Sequence, residues 1–362
     1  MEQEGKILTQ HLIMNNKVFS FLEIKSKLIV SEDEYMNEVL RFCHDWLTGQ
    51  QGFVLNTSGS TGIPKPISIK RKQMEASAFM TADALDLELG MKAFCCLNTN
   101  YIAGKMMLVR AMMVGMSIEV VKPSSIPFSQ DTKAFDFIAL VPMQIDSIIN
   151  SRYLTLLNQA KKIIVGGAPI SFFLTQQIKQ KILPEVYHTY GMTETVSHIA
   201  LKKVKDDDVY QVLDGVKVSL SDKDCLEIEA DVTNGEKLVT NDIVELLGGN
   251  QFRWLGRSDF VVNSGGVKIH PALLEDEIQQ ILYEKNIELN HFFIIGIPDE
   301  RLGEKIVMCV EGEDVDLSAV FDCLEAYQQP KKVFFIEKFE YTKTGKVNKK
   351  ETLTKCLSQV VK

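Results

Sequence analysis

The feature that most constrains this chain is an alternation of short apolar runs with helical stretches over residues 53–182. FVLN (53–56), AFCCLN (93–98), SIEVV (117–121), FIALV (137–141) and KIIVG (162–166) read as buried strands. RKQMEASAFMTADALDL (71–87), IAGKMMLVRAMMVG (102–115) and SFFLTQQIKQKI (171–182) read as helices. Strands and helices in alternation place the chain in the α/β class, with layered and partly parallel sheets. Upstream, Ser31 and Glu34 form a capping-box pair. Tyr35, Val39, Phe42, Trp46 and Leu47 follow at helical spacing.

The pattern changes after about residue 205. Short strand candidates crowd residues 210–255, separated by turn signals at Asp214-Gly215, Asn234-Gly235 and Gly248-Gly249-Asn250. Pro271 suits the first position of a helix whose buried stripe would be Leu274, Ile278, Ile281 and Leu282. HFFIIGI (291–297), KIVMCV (305–310) and KVFFIE (332–337) read as strands, with a helix near 316–327. The expected division is a large domain over residues 1–256 and a small α+β domain over 257–362.

Composition narrows the function. The 362 residues carry 48 acidic and 40 basic side chains, a formal charge of −8, which disfavours general nucleic-acid binding. No apolar run is long enough to span a bilayer, and MEQEGKILTQ is not a secretory leader, so a cytoplasmic location is expected. Seven cysteines without CxxC spacing suggest neither disulfides nor zinc knuckles, but small buried side chains.

The densest chemical signal is Thr57-Ser58-Gly59-Ser60-Thr61-Gly62-Ile63-Pro64-Lys65, directly after a strand. Its glycines let the backbone turn and aim N–H groups inward, and its hydroxyls and lysine add donors. Such a loop suits a polyphosphate. It is not a Walker A loop, because the lysine is flanked by Pro64 and Pro66. Further along come Gly166-Gly167-Ala168-Pro169, Tyr190-Gly191-Met192-Thr193-Glu194-Thr195, Thr240-Asn241-Asp242, Gly256-Arg257-Ser258-Asp259, Ser264-Gly265-Gly266-Val267-Lys268 and Thr342-Lys343-Thr344-Gly345-Lys346.

In this order the motifs resemble those of the adenylate-forming enzymes, the superfamily of acyl-CoA synthetases, luciferases and peptide-synthetase adenylation domains. The resemblance covers residues 53–350, with less sequence before the loop than in most members. It implies a large adenylation domain and a small mobile C-terminal domain, with ATP, Mg²⁺ and coenzyme A as reactants. Thr57, Ser58, Gly59, Ser60, Thr61, Gly62 and Lys65 would hold phosphates. Gly166, Gly167 and Ala168 would lie along the adenine, and Tyr190 beside Gly191 would stack on it. Thr193 would contact the α-phosphate and Glu194 would hold Mg²⁺, a role suited to a hard carboxylate. Asp242 and Arg257 would bind the ribose, and Asp259 would be the hinge. Lys346 would serve adenylation and Lys268 the thioester step. A homodimer is a family expectation.

Within the superfamily, Tyr101-Ile102-Ala103-Gly104-Lys105, Val165-Gly166-Gly167-Ala168-Pro169 and the stretch from Gly191 to His198 resemble short bacterial o-succinylbenzoate–CoA ligases of menaquinone synthesis. That substrate keeps a second carboxylate beside an aromatic ring, so its pocket needs a cation or donors within apolar walls. Lys105, Ser197 and His198 are the candidates. The methionines at 106, 107, 112, 113 and 116 read as core rather than ligand box. Two alternatives stay open: another small- or aryl-acid adenylating enzyme, and a non-catalytic nucleotide-binding homologue. Retention of Glu194 and Lys346 speaks against the second.

Overall fold

The computed structural model describes residues 2–56, 66–206, 208–341 and 347–360. The apolar runs form strands as expected: Gly52–Asn56, Lys92–Cys95, Ser117–Val120, Phe137–Leu140 and Lys162–Val165. Helices Arg71–Ala84 and Ile102–Val114 lie between them, and Phe172–Lys181 follows the last. Two helical details differ from expectation. The helix Glu34–Leu47 is capped by Asp33, whose carboxylate accepts from Met36 N, rather than by Ser31. Ser31 instead accepts from Asp33 N and so turns the chain into the cap. The helix expected near 316–327 is a single turn, Ser318–Phe321. The Gln329 side-chain amide donates to the carbonyls of Phe321 and Leu324, which a continuing helix would use itself.

Among the described residues, thirteen strands form one sheet. From edge to edge its order is Lys217–Leu220, Cys225–Glu229, Leu238–Gly248, Gln251–Arg257, Tyr210–Val212, His198–Lys203, Glu185–Gly191, Lys162–Val165, Phe137–Leu140, Lys92–Cys95, Ser117–Val120, His11–Met14 and Lys17–Ser20. The strands from Glu185–Gly191 across to His11–Met14 pair in parallel. Those from Lys217–Leu220 to Glu185–Gly191 pair antiparallel. The terminal hairpin His11–Ser20 turns on Asn15 and Asn16, both at positive φ, a conformation asparagine tolerates. Strands Gly52–Asn56 and Pro66–Lys70 form a separate two-stranded ribbon flanking the phosphate-loop motif, which lies outside the described residues.

The hydrophobic core divides late in the chain. Two buried clusters draw only on residues up to Phe252, and two only on residues from Val262 onward. The latter surround a second sheet of strands Val262–Ser264, Val267–Ile269, Phe292–Asp299, Gly303–Glu311 and Val333–Ile336. Helix Pro271–Glu284, with proline at its first turn, buries Leu274, Ile278 and Leu282 against this sheet. Its outer side meets the large unit, where Gln279 Oε1 accepts from Phe172 N at 2.8 Å and Tyr283 packs edge-on to Phe172. All seven cysteines are free, and six are buried. No helix among the described residues is long and apolar enough to cross a membrane.

Candidate active site

The parallel strands present their carboxyl ends at one edge, where open α/β sheets place ligands. Gly166–Ala168 follows strand Lys162–Val165, and Tyr190–Glu194 closes the neighbouring strand Glu185–Gly191. The two segments touch: a Cβ on Gly166 would lie 2.2 Å from Thr189 Oγ1. Gly167 sits at φ +84°, a turn for which glycine is suited.

His188 fastens this turn from behind. The Ala168 carbonyl can only accept, so His188 Nε2–H donates to it at 3.2 Å. His188 Nδ1 then accepts from the Tyr210 hydroxyl at 2.8 Å. Burial, and then the Lys202 ammonium, push this imidazole down to about 4. Tyr210 stacks on Phe252, and Tyr190 meets both rings edge-on.

The Tyr190 hydroxyl donates to Asp242 Oδ2 at 2.7 Å, while Trp254 Nε1–H donates to Oδ1 at 3.1 Å. Each carboxylate oxygen keeps a further lone pair for an incoming hydroxyl. Burial, followed by the Asp242 charge, raises the Tyr190 phenol well above its ordinary range, so it stays a donor. Arg257 lies across the strand pair from Asp242. Its guanidinium forks onto Asp259, with Nε at 2.9 Å and Nη2 at 3.2 Å, a pair that raises the arginine further.

The segment after Tyr190 is wound tightly. Thr193–Thr195 make one turn of 3₁₀-helix. Val196 then adopts φ 65°, ψ −54°, and Ser197 N donates to Thr195 O at 2.7 Å. This is a γ-turn of the rare positive-φ kind, centred on a β-branched residue. Strain of this kind costs about 1–3 kcal/mol and collects at functional sites. The buried Thr195 hydroxyl holds it, receiving Met192 N and donating to Ser197 O. Gly191 must be glycine, since a Cβ would sit 2.3 Å from Ser197 O. The result leaves Glu194 exposed, with no hydrogen bond or ion pair among the described residues. Those residues contain no group of three or more metal-ligating side chains. A Mg²⁺ ion on Glu194 would take its other ligands from phosphates and water, the usual manner for that ion.

Ser197 and His198 meet Arg110, a residue the motifs do not mark. Arg110 is 2% exposed, and its Nη2 donates to Ser197 Oγ at 2.8 Å. Its Nε–H has no partner, and no carboxylate pairs with it among the described residues. Burial pushes the guanidinium down to about 10, so it remains charged at neutral pH. Behind it runs a chain of fixed direction. The Thr81 hydroxyl donates to Ser77 O, so it accepts from His198 Nε2–H at 3.1 Å. His198 Nδ1 then accepts from the Ser197 hydroxyl at 3.4 Å. Lys105 points elsewhere, its ammonium 4.8 Å from the centroid of the Phe42 ring. Met106, Met107, Met112 and Met116 are buried core. The clue to Arg110 in sequence was a charge inside a helix apolar on all sides, which must be buried and answered.

Lys268 is exposed on strand Val267–Ile269 of the small sheet. Thr57, Ser58, Gly59, Ser60, Thr61, Gly62, Lys65 and Lys346 lie outside the described residues. A surface groove bordered by Asp33, Glu34, Tyr35, Glu38, Asn100 and Lys122 is rich in carboxylates, which suits no acid substrate.

A family model of AMP-binding enzymes matches residues 50–244. An acyl-CoA synthetase (AMP-forming)/AMP-acid ligase II-like protein from Dyadobacter fermentans is 38% identical, with a TM-score of 0.65, over 93% of this chain and 99% of that one. The o-succinylbenzoate coenzyme A synthetase of Bacillus subtilis, solved with ATP and magnesium, shares the fold at 19% identity and a TM-score of 0.70, over 83% of this chain and 69% of that one. The curated 2-succinylbenzoate–CoA ligase of Staphylococcus epidermidis is 25% identical over 84% of this chain and 70% of its own length.

Proposed function

The chain belongs to the AMP-binding enzyme family, and we propose that it is an AMP-forming, ATP-dependent carboxylate–CoA ligase whose acid carries a second carboxylate, most specifically o-succinylbenzoate. The observation that carries the substrate is Arg110, a buried cation with no counter-ion among the described residues, bonded to Ser197 three residues after Glu194. An isolated buried charge costs several kcal/mol, and an anionic ligand offsets that cost. The relatives named for this substrate support the same reading.

The acid's reactive carboxylate attacks the α-phosphate of ATP, giving an acyl-adenylate and pyrophosphate. Coenzyme A thiol then attacks the adenylate, releasing AMP and the thioester. The first step joins two anions, so it needs positioning and charge neutralisation rather than covalent help. The loop from Thr57 to Lys65 and Lys346 would supply positive charge, with Thr193 at the α-phosphate. Mg²⁺ bound through Glu194 would neutralise phosphate charge. Gly166, Gly167, Ala168 and Tyr190 would flank the adenine. Asp242, already held by Tyr190 and Trp254, would accept from the ribose hydroxyls with Arg257 beside it. The unit from residue 257 onward would act as a mobile domain turning about Asp259, withdrawing Lys346 and bringing Lys268 in for thiol attack. In the acyl pocket Arg110 would take the distal carboxylate, with Ser197 at its side and His198 behind. The expected setting is menaquinone synthesis in the cytoplasm.

The test is pyrophosphate release with ATP, Mg²⁺ and a panel of acids, with and without coenzyme A. Release specific to o-succinylbenzoate, with thioester formed, supports the proposal. Release with another acid keeps the chemistry and replaces the substrate. Adenylate formation that ignores coenzyme A favours a carrier-loading enzyme, and no release with any acid favours a nucleotide-binding homologue.

A further inference from the structure

Ser197 is tied to two different sites at once. Its hydroxyl receives Arg110 Nη2–H at 2.8 Å, and its own backbone closes the turn that carries Thr193 and Glu194. The amide donates to Thr195 O and the carbonyl receives the Thr195 hydroxyl, both at 2.7 Å. That same hydroxyl receives Met192 N–H at 3.0 Å, so residues 192–197 are one hydrogen-bonded unit. The unit has no slack. Gly191 lies against the Ser197 carbonyl and the His198 Cα, too close for a Cβ. On the other side, the His198–Thr81–Ser77 chain fixes which way the Ser197 hydroxyl points. Movement of Arg110 toward an anion therefore pulls on the strained turn at Val196 rather than on a loose side chain.

We infer that Ser197 is a positioning residue that couples occupancy of Arg110 by the acid's distal carboxylate to the placement of Thr193 and Glu194. The inference rests on the substrate class proposed above. It adds that the second carboxylate is read in the rate of adenylation, not only in affinity. A correct acid, by engaging Arg110, steadies the turn facing the phosphates. An acid lacking that group binds and reacts with the turn less well set.

The experiment compares two probes, o-succinylbenzoate and 4-oxo-4-phenylbutanoate, which lacks the ring carboxylate. Initial rates of pyrophosphate release give kcat and KM for wild type, Ser197→Ala and Ser197→Thr. In wild type the diacid should exceed the monoacid in kcat by about tenfold, the effect of one hydrogen bond to a charged group, as well as in affinity. In Ser197→Ala the kcat ratio should fall toward one while the KM ratio, set by Arg110, stays within about twofold. Ser197→Thr keeps the hydroxyl and should restore the kcat ratio. A kcat ratio that survives in Ser197→Ala overturns the coupling and leaves the substrate class intact. A wild-type enzyme that does not distinguish the two acids overturns both. Equal loss of kcat for both acids in Ser197→Ala, with the ratio unchanged, marks a merely structural serine and also overturns the coupling.

Discussion

The Tyr190 hydroxyl donates to Oδ2 of Asp242 across 2.7 Å, joining the end of one central strand to a strand 52 residues further along the chain. One carboxylate oxygen is thereby aimed before any ligand arrives. Tyr190→Phe keeps the ring and removes that bond. A neutral donor to a charged acceptor is worth about 1.5–3 kcal/mol, so KM for ATP should rise by roughly tenfold or more, with a smaller change in kcat. An unchanged KM would mean that Asp242 needs no such orientation.

His188 makes the stability of this edge pH-dependent. Its folded value near 4 lies below the ordinary 6.5, so the unfolded chain binds the proton more readily. Stability from the neutral ring is complete above about pH 6.5 and is lost as pH falls through 4. Denaturation midpoints measured from pH 7 to 4.5 should decline. Burial lowers His198 in the same direction. His188→Gln retains a donor and an acceptor without titrating, and should flatten the slope. A slope identical to wild type would place the titration elsewhere.

Two glycines differ in what surrounds them. A Cβ on Gly191 would meet backbone at 2.3 and 2.5 Å, whereas one on Gly166 would meet the Thr189 hydroxyl, which can rotate away. Overpacking costs about 1–3 kcal/mol, and only the second site has an easy relaxation. Gly191→Ala should therefore lower the unfolding midpoint more than Gly166→Ala and abolish pyrophosphate release. The reverse order would contradict the tight turn described at Val196.

These contrasts also mark what could be read from the chain alone. Strands such as Phe137–Leu140, buried along their whole length, announce themselves as apolar runs. Gly166, Gly191 and Asp242 sit in motifs because close backbone approach and carboxylate chemistry leave few substitutes. Arg110 was not legible in this way. Its partner Ser197 lies 87 positions away, and within a methionine-rich helix Lys105 was the more conspicuous cation. In the fold Lys105 faces Phe42, while Arg110 faces Ser197. His188 and Tyr210 meet only because their strands flank a third, so neither carries a local signal. The N-cap shifted from Ser31 to Asp33 because both residue types cap well and only the chain's path decides between them.

The role proposed for Lys346 predicts a separation of half-reactions. Lys346→Ala should cripple formation of the acyl-adenylate yet leave thioester formation from preformed adenylate near wild type. Single-turnover assays of each step decide this. Equal loss in both would remove Lys346 from the adenylation step.

The most direct test of the account is kcat/KM for o-succinylbenzoate in Arg110→Met. Among the described residues no carboxylate is left unpaired by this change, so the variant should keep an unfolding midpoint at or above wild type. Losing the cation opposite a desolvated carboxylate costs about 2–5 kcal/mol. A fall in kcat/KM of roughly 30-fold or more is expected, with KM for ATP little changed. Wild-type efficiency in a well-folded Arg110→Met enzyme would contradict it, and would mean that the buried guanidinium does not recognise the acid.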